Sequence, residues 1–316
     1  MNTDLSWLTI GFAAVLAVAG CGGGGGGGGT SSAPPLVTTP VATSLQAKIL
    51  AARSADAMFA YDNMNSETLF AALSPLPIGA GLATASYAVP CASGTGSTAF
   101  ADADTSGTVS AGDATSLAVT ACQPTATFPW ALTGTVQVAI VSGTNIEQHL
   151  YKVAPGSAVV RATHAGTALG GSRTATGIYT LATSIAAVGA AFDQVVSLGD
   201  FTIAHPTVNL HITGLSFTVA GGSLAVAAGT FDTSVSGIGA VQLALSVKSP
   251  LTIDASTTRF HPTAGTLTVT ASNFSLDIQY GAGGTVTIRV DNGRDGTVDM
   301  TVSTTETELD SLLTVP

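Results

Sequence analysis

Apolar and polar residues alternate with a period of two through most of the chain beyond residue 130. Successive side chains of a β-strand point to opposite faces, so this alternation predicts strands with one apolar and one polar face. The clearest runs are Thr133–Val141, Val208–Val219, Ser223–Phe231, Val241–Val247, Thr266–Ala271, Phe274–Tyr280, Thr285–Val290 and Thr297–Val302. Turn-forming pairs separate several of them, at Gly221-Gly222, Ser249-Pro250, Gly283-Gly284 and Asn292-Gly293. The pattern predicts a mainly β fold of antiparallel hairpins, arranged as a meander, a sandwich or a partly closed barrel.

Helical spacing is confined to a few segments. A first helix is predicted over residues 43–63, where apolar side chains recur on one face. Those side chains are Leu45, Ile49, Ala52 and Phe59. A second short helix is predicted over residues 66–73, and a last one within residues 304–309. Residues 182–198 fit either a helix or a pair of strands.

Charge and motif content limit the functions that are open to the chain. Nine basic and nineteen acidic residues give a net charge of −10, so a phosphate backbone finds no positive patch and we do not expect nucleic acid as a partner. The sequence contains no Gly-x-Ser-x-Gly, His-Glu-x-x-His or phosphate-binding glycine motif. We therefore assign no catalytic residue and do not expect an enzyme.

The first twenty residues have the form of an export signal. Residues 5–20 form an apolar run that is too short for a stable membrane span and ends in small residues. Val18-Ala19-Gly20-Cys21 resembles the lipobox of bacterial lipoproteins, in which the cysteine thiol receives a diacylglycerol before the leader is cleaved. The resemblance implies that Cys21 is acylated and that palmitate labels the protein. Several acyl chains, at about 0.8 kcal/mol per buried methylene, hold a protein on a membrane.

A tether follows Cys21. Residues 22–29 are eight glycines, and residues 30–42 are uncharged and rich in Ser, Thr and Pro. Glycine-rich chain of this length reaches roughly 25 Å from end to end. Gly22, in place of Asp after the cysteine, implies transport to the outer membrane if sorting follows the rule of enteric bacteria. We expect an outer-membrane lipoprotein that faces the periplasm or the cell surface.

Two cysteines remain beyond Cys21. An even remainder in an exported chain predicts a disulfide between Cys91 and Cys122. Such a bond would close a loop of about thirty residues and stabilise the fold by roughly 3–4 kcal/mol.

The segment from Asp102 to Asp113 has the pattern of an EF-hand or dockerin-like calcium loop. Glycine stands at the sixth position, a branched aliphatic residue at the eighth, and oxygen-bearing side chains at alternate positions. The candidate ligands are Asp102, Asp104, Ser106, the carbonyl of Thr108, Ser110 and Asp113. The alternative is a polar hairpin turn without an ion, since the flanking residues alternate like strands. Calcium is the one candidate cofactor.

A second acidic segment, Asp291–Asp299, is interpreted as a hairpin turn.

The chain resembles a group of proteobacterial cell-envelope lipoproteins in which a lipobox precedes polyglycine. The resemblance rests on the leader, on Val89-Pro90-Cys91 with the loop 102–113 and Cys122, and on residues 261–265, 295–299 and 304–309 near the C-terminus. It implies a place in the envelope and no specific activity.

Other polar residues have plain structural interpretations. His205 and His261 each begin a His-Pro-Thr sequence and are interpreted as solvated turn residues, while His211 lies in a strand. Glu306 and Glu308 are interpreted as first-turn acids of the last helix, where the helix dipole favours negative charge.

The expected organisation has four parts. A signal peptide spans residues 1–20, the lipidated cysteine and tether 21–42, a small helical and disulfide-bracketed hairpin region 43–130, and an antiparallel β-sheet body 131–316.

The expected role is structural or binding, with a protein or a glycan as partner. The alternative is a carrier of lipid or another hydrophobic ligand, because the Ala- and Val-rich inward faces around Leu224–Ala228 leave room inside the sheet that bulkier residues would fill.

Overall fold

The structure is a computed structural model that describes residues 39–64, 76, 81, 84–123, 131–144, 156–169, 173–187, 193–221, 223–254 and 261–313. The strands of this part are β1 (Ala85–Ala88), β2 (Ser93–Ala101), β3 (Ala114–Gln123), β4 (Leu132–Thr144), β5 (Gly156–Leu169), β6 (Arg173–Ile185), β7 (Asp193–Ala204), β8 (Asn209–Ala220), β9 (Ser223–Val235), β10 (Gly239–Asp254), β11 (His261–Thr270), β12 (Phe274–Gly281), β13 (Thr285–Asn292) and β14 (Met300–Thr305). The α-helices are α1 (Ser44–Met64) and α2 (Glu306–Ser311), and a short 3₁₀ turn spans Ala282–Gly284. The predicted mainly β fold is confirmed. The leader, most of the tether and the helix predicted over residues 66–73 lie outside the described residues.

The described strands form one antiparallel sheet of fourteen strands. Each strand pairs with its neighbour in sequence, so the sheet is a meander. Residues 182–198, which fit a helix or two strands, contribute the end of β6 and the start of β7. Strand β3 pairs with β4, so the sheet continues across residue 130, where the sequence suggested a boundary between two regions.

One face of the sheet carries the core. In β12, Phe274, Leu276, Ile278 and Tyr280 are buried, and the residues between them lie on the other face. The buried residues of β2 to β14 and of α1 belong to a single hydrophobic cluster. Helix α1 contacts both β8–β9 and β12–β14. Lys48 of α1 bonds Glu308 of α2, the helix that directly follows β14, and Asp56, eight residues and so about 12 Å further along α1, bonds Arg173 at the start of β6. Eight strand spacings of about 4.8 Å each separate β6 from β14 in a flat sheet, so the sheet must curve around the helix.

Helix α1 is enclosed by this curvature. Its predicted extent is confirmed to within one residue at each end, but the single apolar face is wrong, because residues 49–54 are buried without interruption and Leu45 is 50% exposed. Where a helix is buried on all sides, as α1 is over residues 49–54, it has no solvent face to mark in its sequence. The first turn is capped by a bond from the Gln46 N–H to Thr43 Oγ1. No helix in the described residues is long and apolar enough to cross a membrane.

The chain that leads into α1 fastens to one end of the sheet. Asn273 Nδ2 donates to the carbonyl of Thr39, and Asn292 exchanges two hydrogen bonds with the backbone of Val41. The Gln46 side chain reaches the β9–β10 turn. The connections involved each join an odd-numbered strand to the next even-numbered one, and in a meander these all lie at one end, here called the proximal end. The distal end is the opposite one.

Several local predictions can be compared with the structure. The predicted disulfide joins Cys91 to Cys122, with an S–S distance of 2.01 Å. The turn predicted at Ser249-Pro250 is wrong, because both residues lie within β10, where the pairing with β11 shifts register. A bulge is a position where a strand tolerates proline.

The C-terminal elements also differ slightly from expectation. Strand β14 begins at Met300, three residues later than predicted, because the connection from β13 holds the chain up to Asp299. The last helix is confirmed, with Thr305 as its N-cap and Glu306 and Glu308 in its first turn.

Glycine permits a close approach between β6 and β7. At Gly177 φ is +133°, and a Cβ atom would lie 2.4 Å from the carbonyl oxygen of Asp200. The register of the two strands shifts beside it. We expect Gly177→Ala to lower the free energy of unfolding by about 1–3 kcal/mol, through backbone strain and the contact.

Gly199 in β7 is the matched control. A Cβ at this position meets no atom within 4 Å, so Gly199→Ala should change stability by less than about 0.5 kcal/mol. Urea unfolding followed by circular dichroism measures both variants, and equal losses would contradict the assigned role of Gly177.

Candidate functional site

The predicted calcium loop joins β2 to β3 at the distal end of the sheet. Strands flank it on both sides, where an EF-hand has helices. The structure brings its three carboxylates together: one oxygen each from Asp102, Asp104 and Asp113 lie within 4.8 Å of one another. Three negative charges so close together are a feature that a cation would stabilise.

Donors within the loop already bond these carboxylates. The Ser106 N–H lies 3.1 Å from Asp102 Oδ1 and 3.0 Å from Asp104 Oδ1. The Ser110 hydroxyl donates to Asp104 Oδ2 and contacts Asp113 Oδ2. Hydrogen bonds from Ser106 and Ser110 lower the pKa of Asp104 to about 2, so this carboxylate is charged at neutral pH. The remaining candidate ligand, the carbonyl of Thr108, accepts a bond from the Ser106 hydroxyl.

The second acidic segment has the same turn. Asp291 accepts bonds from the N–H groups of Asp295 and Gly296, four and five residues later. Asp102 accepts from Ser106 and Gly107 at the same offsets. Asp291–Asp299 joins β13 to β14 and is confirmed as a hairpin connection. Turn chemistry by itself therefore accounts for the backbone of both loops.

The Asp102–Asp113 loop stays a predicted calcium site. With three carboxylates and no bidentate glutamate, we expect a Kd of about 10⁻⁴ to 10⁻³ M, the range of extracellular modules. Titration of the purified protein with Ca²⁺ should release heat and raise its melting temperature, and Asp104→Asn should abolish both effects. Asp295→Asn in the second loop is the control and should leave both unchanged. No heat and no shift in melting at millimolar Ca²⁺ would exclude the ion.

A buried charge cluster lies where α1 crosses the proximal end. The Asp56 carboxylate lies 2.8 Å from the Arg173 guanidinium and 2.7 Å from His205 Nε2. The three side chains are 4%, 7% and 1% exposed. The interpretation of His205 as a solvated turn residue is wrong: its N–H does close the β7–β8 turn onto Val208, but its ring is buried against Asp56.

These charges attach the helix to the sheet. Burial by itself would raise the pKa of Asp56, but the hydrogen bond from His205 and the charge of Arg173 hold that pKa below its ordinary value. One turn earlier, fully buried Arg53 donates to the Thr233 hydroxyl and to a backbone carbonyl of β9. Burial lowers the pKa of Arg53 to about 10, so it is charged at neutral pH. The only local signal of this cluster in the sequence is the pair Arg53 and Asp56 within residues 49–60, a stretch that is otherwise uncharged and mostly apolar, and that signal was not recognised.

Asp56→Asn should lower the free energy of unfolding by about 3–5 kcal/mol at pH 7, because it removes one partner of a buried ion pair. Asp193→Asn, at an exposed position of β7, is the matched control and should stay within about 0.5 kcal/mol. Urea unfolding of both variants and the parent measures the difference.

The difference in the free energy of unfolding between the parent and Asp56→Asn should depend on pH, and its direction follows from the pKa of Asp56. The folded-state pKa of Asp56 is depressed, so its contribution is complete above the unfolded-state pKa of about 4 and is lost as the pH falls through the folded-state value. The parent and Asp56→Asn should therefore converge in stability below about pH 4 and not above it. A constant difference down to the acid limit would contradict the assignment.

A groove lies beside this cluster, where β8 and β9 separate. Their pairing ends at His211 and Asp232, although β8 stays paired with β7 as far as Asn209 and β9 with β10 as far as Val235. The resulting groove has a volume of about 540 Å³. Its polar lining includes His205, Thr207, Asn209, His211, Asp232 and Ser234.

His211 forms the outer part of this groove. Its Nε2 lies 2.8 Å from Asp200 Oδ1 and its Nδ1 lies 3.5 Å from Asp232 Oδ2. The hydrogen bond to Asp200 raises the pKa of His211. His261 begins β11, which is not a neighbour of β7 or β8 in the sheet.

No protein-family model, curated protein or solved structure matches the chain.

Proposed function

We propose that the protein is a lipid-anchored, β-rich protein of the cell envelope with a structural or binding role. The observation that carries the proposal is the sequence Val18-Ala19-Gly20-Cys21 followed directly by eight glycines. Acyl chains on Cys21 would hold the protein at the outer membrane, and the uncharged tether would separate the folded body from the lipid surface.

The disulfide supports this placement. Disulfides form and persist in oxidising compartments outside the cytoplasm, and Cys91 and Cys122 are bonded to each other. The bond closes a loop with a sequence separation of 31, which stabilises the fold by roughly 3–4 kcal/mol on the chain-entropy model.

The attachment at Thr39 and Val41 supports a display role. The chain enters the body through side-chain bonds from Asn273 and Asn292, directly before the buried helix α1. A tether that ends in such a fixed attachment leaves the distal connections, including the Asp102–Asp113 loop, farthest from the point of entry. Contact with a protein or glycan partner is the role that this arrangement suits best.

A carrier of lipid or another hydrophobic ligand is the second candidate. Its supporting observation is that His164 Nε2 and the Tyr179 hydroxyl are buried without a hydrogen-bond partner among the described residues. The two rings stack, with centroids 5.7 Å apart, and burial lowers the pKa of His164 to about 4. A hydroxyl-bearing lipid inside the sheet would satisfy both groups. Mass spectrometry of lipids that co-purify with the protein separates the candidates: a stoichiometric lipid favours the carrier.

The anchor is tested at Cys21. In a native host the parent protein should incorporate labelled palmitate and lose its first twenty residues, because acylation precedes cleavage of the leader. Cys21→Ser should abolish both events. The double variant Cys91→Ser/Cys122→Ser is the matched control and should keep the label, since those sulfurs are bonded to each other. An unlabelled parent, or label retained by Cys21→Ser, would refute the anchor.

A further inference from the structure

We propose that the groove between β8 and β9 binds a neutral ligand rich in hydroxyl groups, such as a sugar residue of a glycan. This inference rests on the binding role proposed above and names the ligand class. It uses different residues from the lipid anchor, so the two can fail separately.

The first observation is an unpaired nitrogen on the groove lining. The carboxylate of Asp56 is held in its charged form and can only accept, so His205 Nε2 must donate to it. The other ring nitrogen, Nδ1, is buried and has no hydrogen-bond partner among the described residues. In the neutral ring that nitrogen carries a lone pair, whose direction is set by the bond to Asp56.

The second observation is an unpaired oxygen on another residue of the groove lining. Asp232 Oδ2 faces His211 Nδ1 at 3.5 Å. Asp232 Oδ1 is buried and has no partner in the described part of the chain. Buried polar atoms without partners are rare in folded proteins and cost free energy. With the His205 ring neutral both of these unpaired atoms are acceptors, and both belong to residues that line one groove.

The ligand must therefore supply donors, and the surroundings narrow its class. A metal ion bound by three residues is disfavoured, because the described His, Cys, Asp and Glu residues form such a convergent cluster at the Asp102–Asp113 loop and not here. An organic cation is disfavoured as well, because the guanidinium groups of Arg53 and Arg173 balance the carboxylates of Asp56 and Asp232 and leave no excess negative charge at the groove. Neutral hydroxyl groups remain.

The size and chemistry of the groove agree with this class. A volume of about 540 Å³ falls within the range of small-molecule sites. Thr207, Asn209 and Ser234 add side chains that can donate and accept. Strands β8 and β9 no longer pair at this end. A ligand in the groove would therefore make hydrogen bonds in place of those that the two strands do not make with each other.

The experiment uses the full chain in detergent micelles. Glucose, galactose and N-acetylglucosamine are titrated as probes, with binding measured by calorimetry and by ¹⁵N NMR of the histidine side chains. We expect at least one sugar to shift the Nδ1 resonance of His205. Asp232→Asn should weaken that binding at least tenfold, because it removes a charged acceptor from the groove.

The choice of variants keeps the test independent of folding. The Asp232 side chain is 34% exposed, so its change to Asn spares the buried cluster, whereas a change at His205 would break the pair with Asp56. Asp200→Asn is the matched control, because Asp200 also bonds His211 but lies outside the groove lining. The affinity of this variant for the sugar should stay within about twofold of the affinity of the parent.

Three results would overturn the proposal. They are the absence of any shift at His205 with all three sugars, an equal loss of affinity in Asp232→Asn and Asp200→Asn, and a shift produced by Zn²⁺ and not by sugars. Palmitate labelling in the same host reports on the anchor separately, so a failed sugar titration with a labelled protein rejects the groove and leaves the anchor in place.

Discussion

A sheet with one apolar face is stable in water only if something covers that face. In the described residues a single meander supplies every strand, so the cover comes from the curvature of the sheet and from α1. Close approaches such as that of Gly177 to Asp200 accommodate the curvature, because a side chain at that position would meet the neighbouring backbone. The buried helix follows from the same constraint, since the interior of a curved sheet must be filled to close-packed density.

The charges on α1 give this packing one specific position. Apolar contacts are non-directional and tolerate sliding, whereas Asp56 must meet both Arg173 and His205. The cluster also lies at the place where β8 and β9 stop pairing at the proximal end. There β8 and β9 separate beside His205, and the space between them is lined by two residues, His205 and Asp232, that each have a buried atom without a partner in the described part of the chain. The groove proposed as a ligand site therefore lies directly beside the ion pairs that hold α1 against the sheet.

The two acidic loops show how a motif and a turn can share one geometry. Asp102 and Asp291 each accept bonds from the N–H groups four and five residues later. The loops lie at opposite ends of the sheet and differ in their other carboxylates, which converge in the Asp102–Asp113 loop. Backbone geometry alone therefore cannot identify a calcium site, and the convergence of charge is the feature that distinguishes this loop.

Sequence determined the features of this protein that depend on neighbours along the chain. Alternation located most strands, small and polar residues located most connections, and cysteine parity located the disulfide, because strand periodicity and turn chemistry act over a few residues. Tertiary structure alone decided which residues meet across the fold. Asp56 contacts Arg173 and His205, which are 117 and 149 positions away, so no local pattern could pair them. Leu45 and Ser249-Pro250 were misjudged for the same reason, since exposure and strand register depend on what the curved sheet places beside each residue.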